Sequence, residues 1–262
     1  IITILILTIF FIMVLYPCIF VVSASFSSGT AVQAGKVVLF PVDFSLEGYK
    51  TVFNTKTVWT GFANSLFYTF VGTAINVAMT MTAGYCLSRK DLPGRNGIML
   101  LFTFTMFFSG GLIPTYLLMI RLGYINSFAV YIVPALFSSY YMLLASSYFQ
   151  SIPDALFESA RIDGASELRN FWSIAVPLAK PMLACIAVYI AVGHWNSWFD
   201  VSLYSKDGTW DTLPIILYRL LNQASAKSEM MNQQQLYASM RTIQPETVRA
   251  AITVVVVVPI IF

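Results

Sequence analysis

Long apolar blocks separated by polar connections dominate the pattern of the chain. A helix needs roughly 20 apolar residues to cross the hydrocarbon of a bilayer, and helices satisfy every backbone group there. Blocks of about that length lie at residues 2–24, 64–87, 97–120, 127–149 and 181–199. A further block covers 250–262, and we expect it to be a truncated span, with both ends of the chain trimmed. The pattern predicts an all-α membrane protein with six transmembrane helices in a single domain over 1–262.

The connections between the blocks predict the orientation. Residues 25–61 and 201–249 are long and polar, whereas 88–96 and 151–180 are shorter and fall on the opposite side by alternation. The 88–96 connection (SRKDLPGRN) concentrates three basic residues, and short basic loops stay in the cytoplasm. We therefore expect both termini in the cytoplasm and the two long loops outside.

Composition supports a lipid-exposed chain and excludes several kinds of function. Of 262 residues, 58% are hydrophobic and 10% are charged, against roughly 25% charged in soluble domains. The net charge of +3 comes without a basic stripe, which argues against a nucleic-acid partner. The spacing of the three cysteines and the single histidine, His194, suggests no metal site.

None of the six apolar blocks contains Asp, Glu, Lys or Arg. Ion-coupled transporters and intramembrane enzymes usually carry ionisable groups within the membrane, so a secondary transporter or a membrane enzyme is disfavoured. The chain also lacks the G-x-x-x-x-G-K-[ST] phosphate cradle. Energy for transport is therefore expected to come from another protein.

The 151–180 connection carries a helical pattern. Ser151 is the expected N-cap of a first helix, and Gly164 can adopt the left-handed conformation that stops it. A second short helix is predicted from Ser166 to about Ala175, with Pro177 ending it. The result is a helix–turn–helix elbow. An amphipathic segment lying in the headgroups and a docking site for another protein are both compatible with this pattern.

A resemblance favours docking. Glu158-Ser159-Ala160, then Gly164, then Ile174-Ala175-Val176-Pro177 resembles the EAA signature, E-A-A-x-x-x-G followed after nine residues by I-x-L-P. That signature belongs to permease subunits of ABC importers, and Ser159 and Val176 are its two mild departures. The segments at 111–114, 122–126 and 194–199 also resemble this family and extend the resemblance over most of the chain. They indicate the carbohydrate branch, of MalG-like and LplC/YtcP-like permeases.

The resemblance implies a type I ABC importer permease fold in a bacterial plasma membrane. This subunit would be non-catalytic and without a cofactor, because a dimer of partner ATPase subunits binds ATP and Mg. A second permease, an extracellular substrate-binding protein and an oligosaccharide would be the other partners. An importer of amino acids or peptides is the alternative. The residues implied to couple to the ATPase are Glu158, Ser159, Ala160, Asp163 and Gly164.

The substrate path is the least specific prediction. An amide among aromatic side chains suits sugar hydroxyls and C–H faces, and such a group follows the fifth block at Trp195, Asn196, Trp198 and Phe199. Aromatic residues also form belts at membrane interfaces, so both interpretations remain open. The outer loops, including an amphipathic helix at 213–221 and a polar stretch at 222–235, are expected to contact the binding protein.

Overall fold

The computed structural model describes residues 2–219 and 245–261, and its regular structure within those ranges is helical. The polar stretch predicted at 222–235 lies outside them. The helices are α1 (Ile2–Ser25), α2 (Gly29–Gln33), α3 (Glu47–Asn54), α4 (Lys56–Ser88), α5 (Arg95–Phe107), α6 (Leu112–Arg121), α7 (Ala129–Ile132), α8 (Ser139–Gln150), α9 (Asp154–Ile162), α10 (Glu167–Asn170), α11 (Val176–Leu178), α12 (Lys180–Trp195), α13 (Trp198–Tyr204) and α14 (Pro245–Ile261), with a π-helical segment at Phe171–Ala175. Residues 213–219 are also helical.

Two of the described helices, α1 and α4, are individually long and apolar enough to cross a membrane. Two bent pairs reach that length together: α5 with α6, bent by 113°, and the 167–178 helical stretch with α12, bent by 80°. The described residues therefore contain two to four candidate spans by length and composition. A count of six spans stays a prediction.

The structure differs from the expectation of one helix over 97–120. Helix α5 ends at Phe107, and α6 begins at Leu112 in another direction. Gly111 has φ +84°, which no right-handed helix can accommodate. Hydropathy alone misses this break because glycine and serine interrupt the apolar block without adding charge.

The 127–149 block is also interrupted. It contains the one-turn α7, a non-helical stretch beyond Val133, and then α8. Pro134 lies in the gap and cannot donate a backbone hydrogen bond. The Ser138 side chain accepts a bond from the backbone N–H of Tyr141 and so caps α8.

One compact unit consists of residues 1–64 and 211–262. In it, α14 packs against α1, α2 and α3. The approach of α3 to α14 requires Gly48, because a Cβ there would lie 2.8 Å from the carbonyl oxygen of Thr247. Most side chains of α1 between Ile2 and Tyr16 are exposed although they are apolar, as expected of a helix solvated by lipid.

The second unit, residues 65–210, contains the elbow and an apolar cluster built from α4, α8, α9 and α12. Two of its helices approach closely at Gly84 of α4, where a Cβ would lie 2.6 Å from the Cβ of Ala145 in α8. Small residues allow such close approach between membrane helices. The buried members of the cluster are Met81, Tyr85, Ala145, Phe149, Ile152, Phe157, Phe171, Ala175, Ala179, Met182, Ile186 and Ile190.

Candidate coupling elbow

The first helix of the elbow is α9, which begins at Asp154 with Pro153 at its N-cap. The prediction that Ser151 caps this helix is wrong. Ser151 instead ends α8, where its hydroxyl donates to the carbonyl oxygen of Tyr148 at 2.6 Å. The sequence pattern is compatible with Ser151 at the end of one helix or at the start of the next. Because α8 extends to Gln150, Ser151 lies at its C-terminus. Proline can hold this boundary because its φ is fixed and its missing N–H costs little at a helix start.

The turn of the elbow is a Schellman motif centred on Gly164. The backbone N–H of Ala165 donates to the carbonyl oxygen of Ala160 at 2.8 Å, and that of Gly164 donates to Arg161 at 3.0 Å. Gly164 has φ +79°, and a Cβ built there would meet nothing within 4 Å. Glycine is therefore required by backbone conformation rather than by space.

The second helix follows at once, with the Ser166 side chain accepting a bond from the N–H of Arg169 at 3.3 Å. The prediction that Pro177 ends this helix is wrong, because α11 continues to Leu178 and the bend comes at Ala179. A π-helical segment precedes Pro177. Since proline excludes the usual bond to the carbonyl four residues earlier, the wider π turn accommodates it without stopping the helix.

An aromatic anchor fixes the elbow to the end of α4. Phe157 of α9 is 1% exposed and contacts Tyr85 of α4, with 6.2 Å between the ring centroids. The guanidinium of Arg89 lies 4.0 Å from the Phe157 ring centroid and 4.7 Å from that of Tyr85. Apolar burial and cation–π attraction thus act on the same side chain.

An ion-pair network joins the two helices of the elbow to each other and to the connection after α4. Arg161 of α9 lies 2.7 Å from the carboxylate of Glu167 in α10 and 3.6 Å from that of Asp91. The Tyr85 hydroxyl donates to the other oxygen of Glu167 at 3.1 Å. The hydrogen bond and negative charge of Glu167 raise the pKa of Arg161. The roles of Arg89, Arg161 and Glu167 have no signal in the sequence pattern, because their partners lie on separate elements.

The predicted coupling residues lie on or beside the outer surface of this anchored elbow. Glu158, Ser159, Asp163 and Gly164 are exposed, and Ala160 is half-buried. Within the described residues Glu158 forms no ion pair.

Apolar side chains adjoin this surface. Ile162 is 86% exposed, Leu168 69% and Trp172 61%. Apolar tips among polar groups are the composition of a protein-binding surface.

The predicted substrate-path residues are placed differently from one another. Trp195 ends α12 and is 5% exposed, whereas Asn196 follows that helix and is exposed. Trp198 and Phe199 begin α13, with their rings edge to face at 5.8 Å. The group therefore lies at a helix–helix break, with one ring buried and two partly exposed.

The chain was compared with protein-family models, curated proteins and solved structures. No protein-family model matches the chain, whereas the other two comparisons find permeases. It is 34% identical, over 94% of its length and 85% of the relative's, to the polygalacturonan/rhamnogalacturonan transport system permease protein YtcP of Bacillus subtilis. It is 38% identical to protein LplC of the same organism, over 77% of this chain and 68% of that one. A crystal structure of a bacterial ABC transporter that imports the acidic polysaccharide alginate contains a chain with TM-score 0.88 and 32% identity, covering 99% of this chain and 91% of that chain.

Proposed function

The chain belongs to the carbohydrate permeases of ABC transporters, and from that premise we propose how it couples an ATPase to import. It is the non-catalytic membrane subunit of a binding-protein-dependent importer of oligo- or polysaccharides. ATP is bound by separate subunits. The carbohydrate names of the relatives weigh against the alternative of an amino-acid or peptide importer.

The elbow is the docking site for the ATPase subunit. The observation that carries this proposal is an exposed turn at Glu158–Gly164 on a helix whose opposite side is fixed by Phe157. Glu158 and Asp163 supply acceptors for donors of the ATPase, and Ile162, Leu168 and Trp172 supply apolar contact. Because the surface is held rigidly, little ordering has to accompany binding.

Movement of the docked ATPase reaches the transmembrane helices through the same anchors. Phe157 and Arg161 connect α9 to Tyr85 at the end of α4 and to the adjacent connection at Asp91. The second elbow helix leads into α12 through the 80° bend. A displacement of the elbow therefore acts on α4 and α12 directly.

The proposed arrangement is a type I permease fold with six spans and both termini in the cytoplasm. The basic connection after α4 and the elbow face the ATPases. The outer loops at 25–61 and 201–249 face outward and contact the binding protein, and residues 220–244 of the second loop lie outside the described ranges. A second permease pairs with this chain, and Trp195, Asn196, Trp198 and Phe199 lie near the path of the sugar chain.

The test replaces Gly164 by valine and compares this variant with the same substitution at a matched glycine, Gly123. Gly123 follows α6 with φ +71° and the same pair of Schellman hydrogen bonds, and a Cβ added there would also meet no atom within 4 Å. A left-handed L-residue costs about 1–2 kcal/mol, so Gly164→Val should lower the docking-competent population by about five- to thirtyfold.

The measurement is the amount of ATP-binding subunit that copurifies with this chain, together with the ATP hydrolysis of the complex in nanodiscs. Gly164→Val should insert normally, lose ATPase subunit and lose coupling, whereas Gly123→Val should retain both. If Gly164→Val copurified as much ATPase subunit and hydrolysed ATP as fast as the wild type, the elbow would not be the docking site.

A further inference from the structure

A cavity of ≈ 450 Å³ lies within the 65–210 unit, away from the coupling residues. It is bordered by the break between α5 and α6, by the segment around Pro134 and by α13. Its volume falls within the range of about 300–1,000 Å³ for small-molecule sites. The residues predicted for the substrate path do not line it, but Asp200, which follows Phe199, does.

Two hydroxyl groups in the wall keep complementary hydrogen-bonding capacity. Ser109 Oγ accepts the backbone N–H of Gly111 at 3.1 Å, so its own proton remains available for a ligand. Thr115 Oγ1 donates to the Gly111 carbonyl oxygen at 2.8 Å, so its lone pairs remain available. Gly111 thus orients one prospective donor and one prospective acceptor.

Among the described residues, Asp200 is the one charged residue in the lining. Its Oδ2 accepts the hydroxyl proton of Ser197 at 2.8 Å, and this bond orients the carboxylate. The remaining oxygen can accept hydroxyl groups of a ligand. A carboxylate on the ligand would meet a like charge, and the lining residues within 2–219 and 245–261 include no basic residue to offset it.

Tyr204 completes the polar wall. It is 4% exposed, and its ring stacks on that of Tyr116 with the centroids 5.9 Å apart. Burial, followed by the negative charge of Asp200, raises the pKa of Tyr204. A tyrosine hydroxyl is already protonated at neutral pH, and the raised pKa keeps it so. The lining combines an aromatic residue with hydroxyl and carboxylate groups, as suits a polyhydroxyl ring.

We propose that this cavity binds one uncharged sugar unit of the transported chain, with Asp200 accepting its hydroxyl groups, and that it disfavours uronate units. This inference rests on the proposed function and assigns a substrate class to the chain's own cavity. The names of two related transporters include polygalacturonan and alginate. The lining around Asp200 would therefore distinguish this permease from a carrier that selects acidic units at every position.

The direct test uses two probes that differ only at C6, methyl α-galactopyranoside and methyl α-galacturonate. Saturation-transfer NMR measures their binding to the assembled transporter in nanodiscs without binding protein. The neutral probe should bind the wild type more tightly than the uronate. Equal or tighter binding of the uronate, or no saturable signal from the neutral probe, would overturn the proposal.

Asp200→Asn keeps the shape and the acceptor for Ser197 while removing the charge. Hydrogen bonds to charged groups are stronger than neutral ones by a margin equivalent to about tenfold in affinity. The affinity for the neutral probe should therefore fall by about that factor. Uronate binding should strengthen. Unchanged affinity for both probes would refute the role of Asp200.

Thr115→Val tests the cavity wall against a matched control. Thr103 of α5 makes the same hydroxyl-to-carbonyl bond four residues back, to Met99 at 2.8 Å, but does not line the cavity. Thr115→Val should lower the affinity for the neutral probe several-fold, and Thr103→Val should leave that affinity unchanged. Equal effects would place the probe elsewhere.

These outcomes are separable from those for the elbow. Failure of sugar binding with normal ATPase docking would remove the cavity assignment and leave the permease function intact. Loss of docking in Gly164→Val should leave probe binding unchanged, because Gly164 does not line the cavity.

Discussion

The elbow and the cavity handle charge in opposite ways. At the elbow, Arg161 is paired with Glu167 and Asp91, and Arg89 is covered by aromatic rings. In the cavity, Asp200 is the one charge that the described part of the chain places in the lining, and it has an oxygen available for a ligand. The elbow, which we propose as the docking site for the ATPase, is stabilised by contacts within the chain. A site that recognises a ligand has to keep polar groups free for it.

One helix separates the two regions along the chain. α12 begins just after the elbow and ends just before the segment that carries Asp200. Its 16 residues span about 24 Å at 1.5 Å per residue. The elbow precedes α12 and Asp200 follows it, so a variant in one region changes no residue of the other.

The largest effect is expected from removing the aromatic anchor. Phe157→Ala deletes a fully buried ring and the surface on which Arg89 lies, and such truncations cost about 3–5 kcal/mol. The purified transporter should show a lower thermal unfolding midpoint for this chain, and the elbow should become accessible to protease.

The control for this prediction is Ile162→Ala on the same helix, because Ile162 is 86% exposed. It should leave the unfolding midpoint unchanged while reducing copurification of the ATPase subunit. If both variants lowered the midpoint equally, the distinction between an anchoring and a docking side of α9 would be wrong.

A smaller effect is expected from the ion-pair network. Glu167→Gln removes the nearer of the two carboxylate partners of Arg161, whose side chain is 42% exposed, and exposed pairs contribute about 0.2–1 kcal/mol. The thermal midpoint should fall slightly, and the difference from wild type should shrink as salt shortens the Debye length below about 8 Å.

Glu158→Gln is the matched neutralisation, since Glu158 has no ion pair in the described ranges. It should affect ATPase copurification without changing the midpoint. A loss of stability in Glu167→Gln that did not depend on salt would argue that packing, rather than charge, joins α9 to α10.

Local signals in the sequence were sufficient where a local conformation was required. Apolar residues predicted α1, and the E-S-A…G spacing identified Gly164, whose φ of +79° only glycine adopts easily. The break at Gly111 was missed because apolar length does not reveal a helix end. The anchor of Phe157 on Arg89 was missed because it joins positions far apart in the chain.

The cavity shows the same limit at a functional site. Aromatic composition drew attention to Trp195, Asn196, Trp198 and Phe199, whereas Asp200 became a candidate only through its position beside Ser109 and Thr115 in the lining. A single acidic residue after an apolar block has no distinctive pattern. Its chemistry depends on which elements the fold brings together.

The smallest effect is expected at Ser197, whose hydroxyl orients Asp200 without lining the cavity. Ser197→Ala leaves the charge but frees the carboxylate to rotate, and one hydrogen bond is worth about 0.5–1.5 kcal/mol. The neutral sugar probe should therefore bind a few-fold more weakly in the same NMR titration, while the preference over the uronate persists. Ser197→Thr should restore the affinity because it restores the donor. A loss of preference in Ser197→Ala would mean that orientation, rather than the charge of Asp200, excludes uronates.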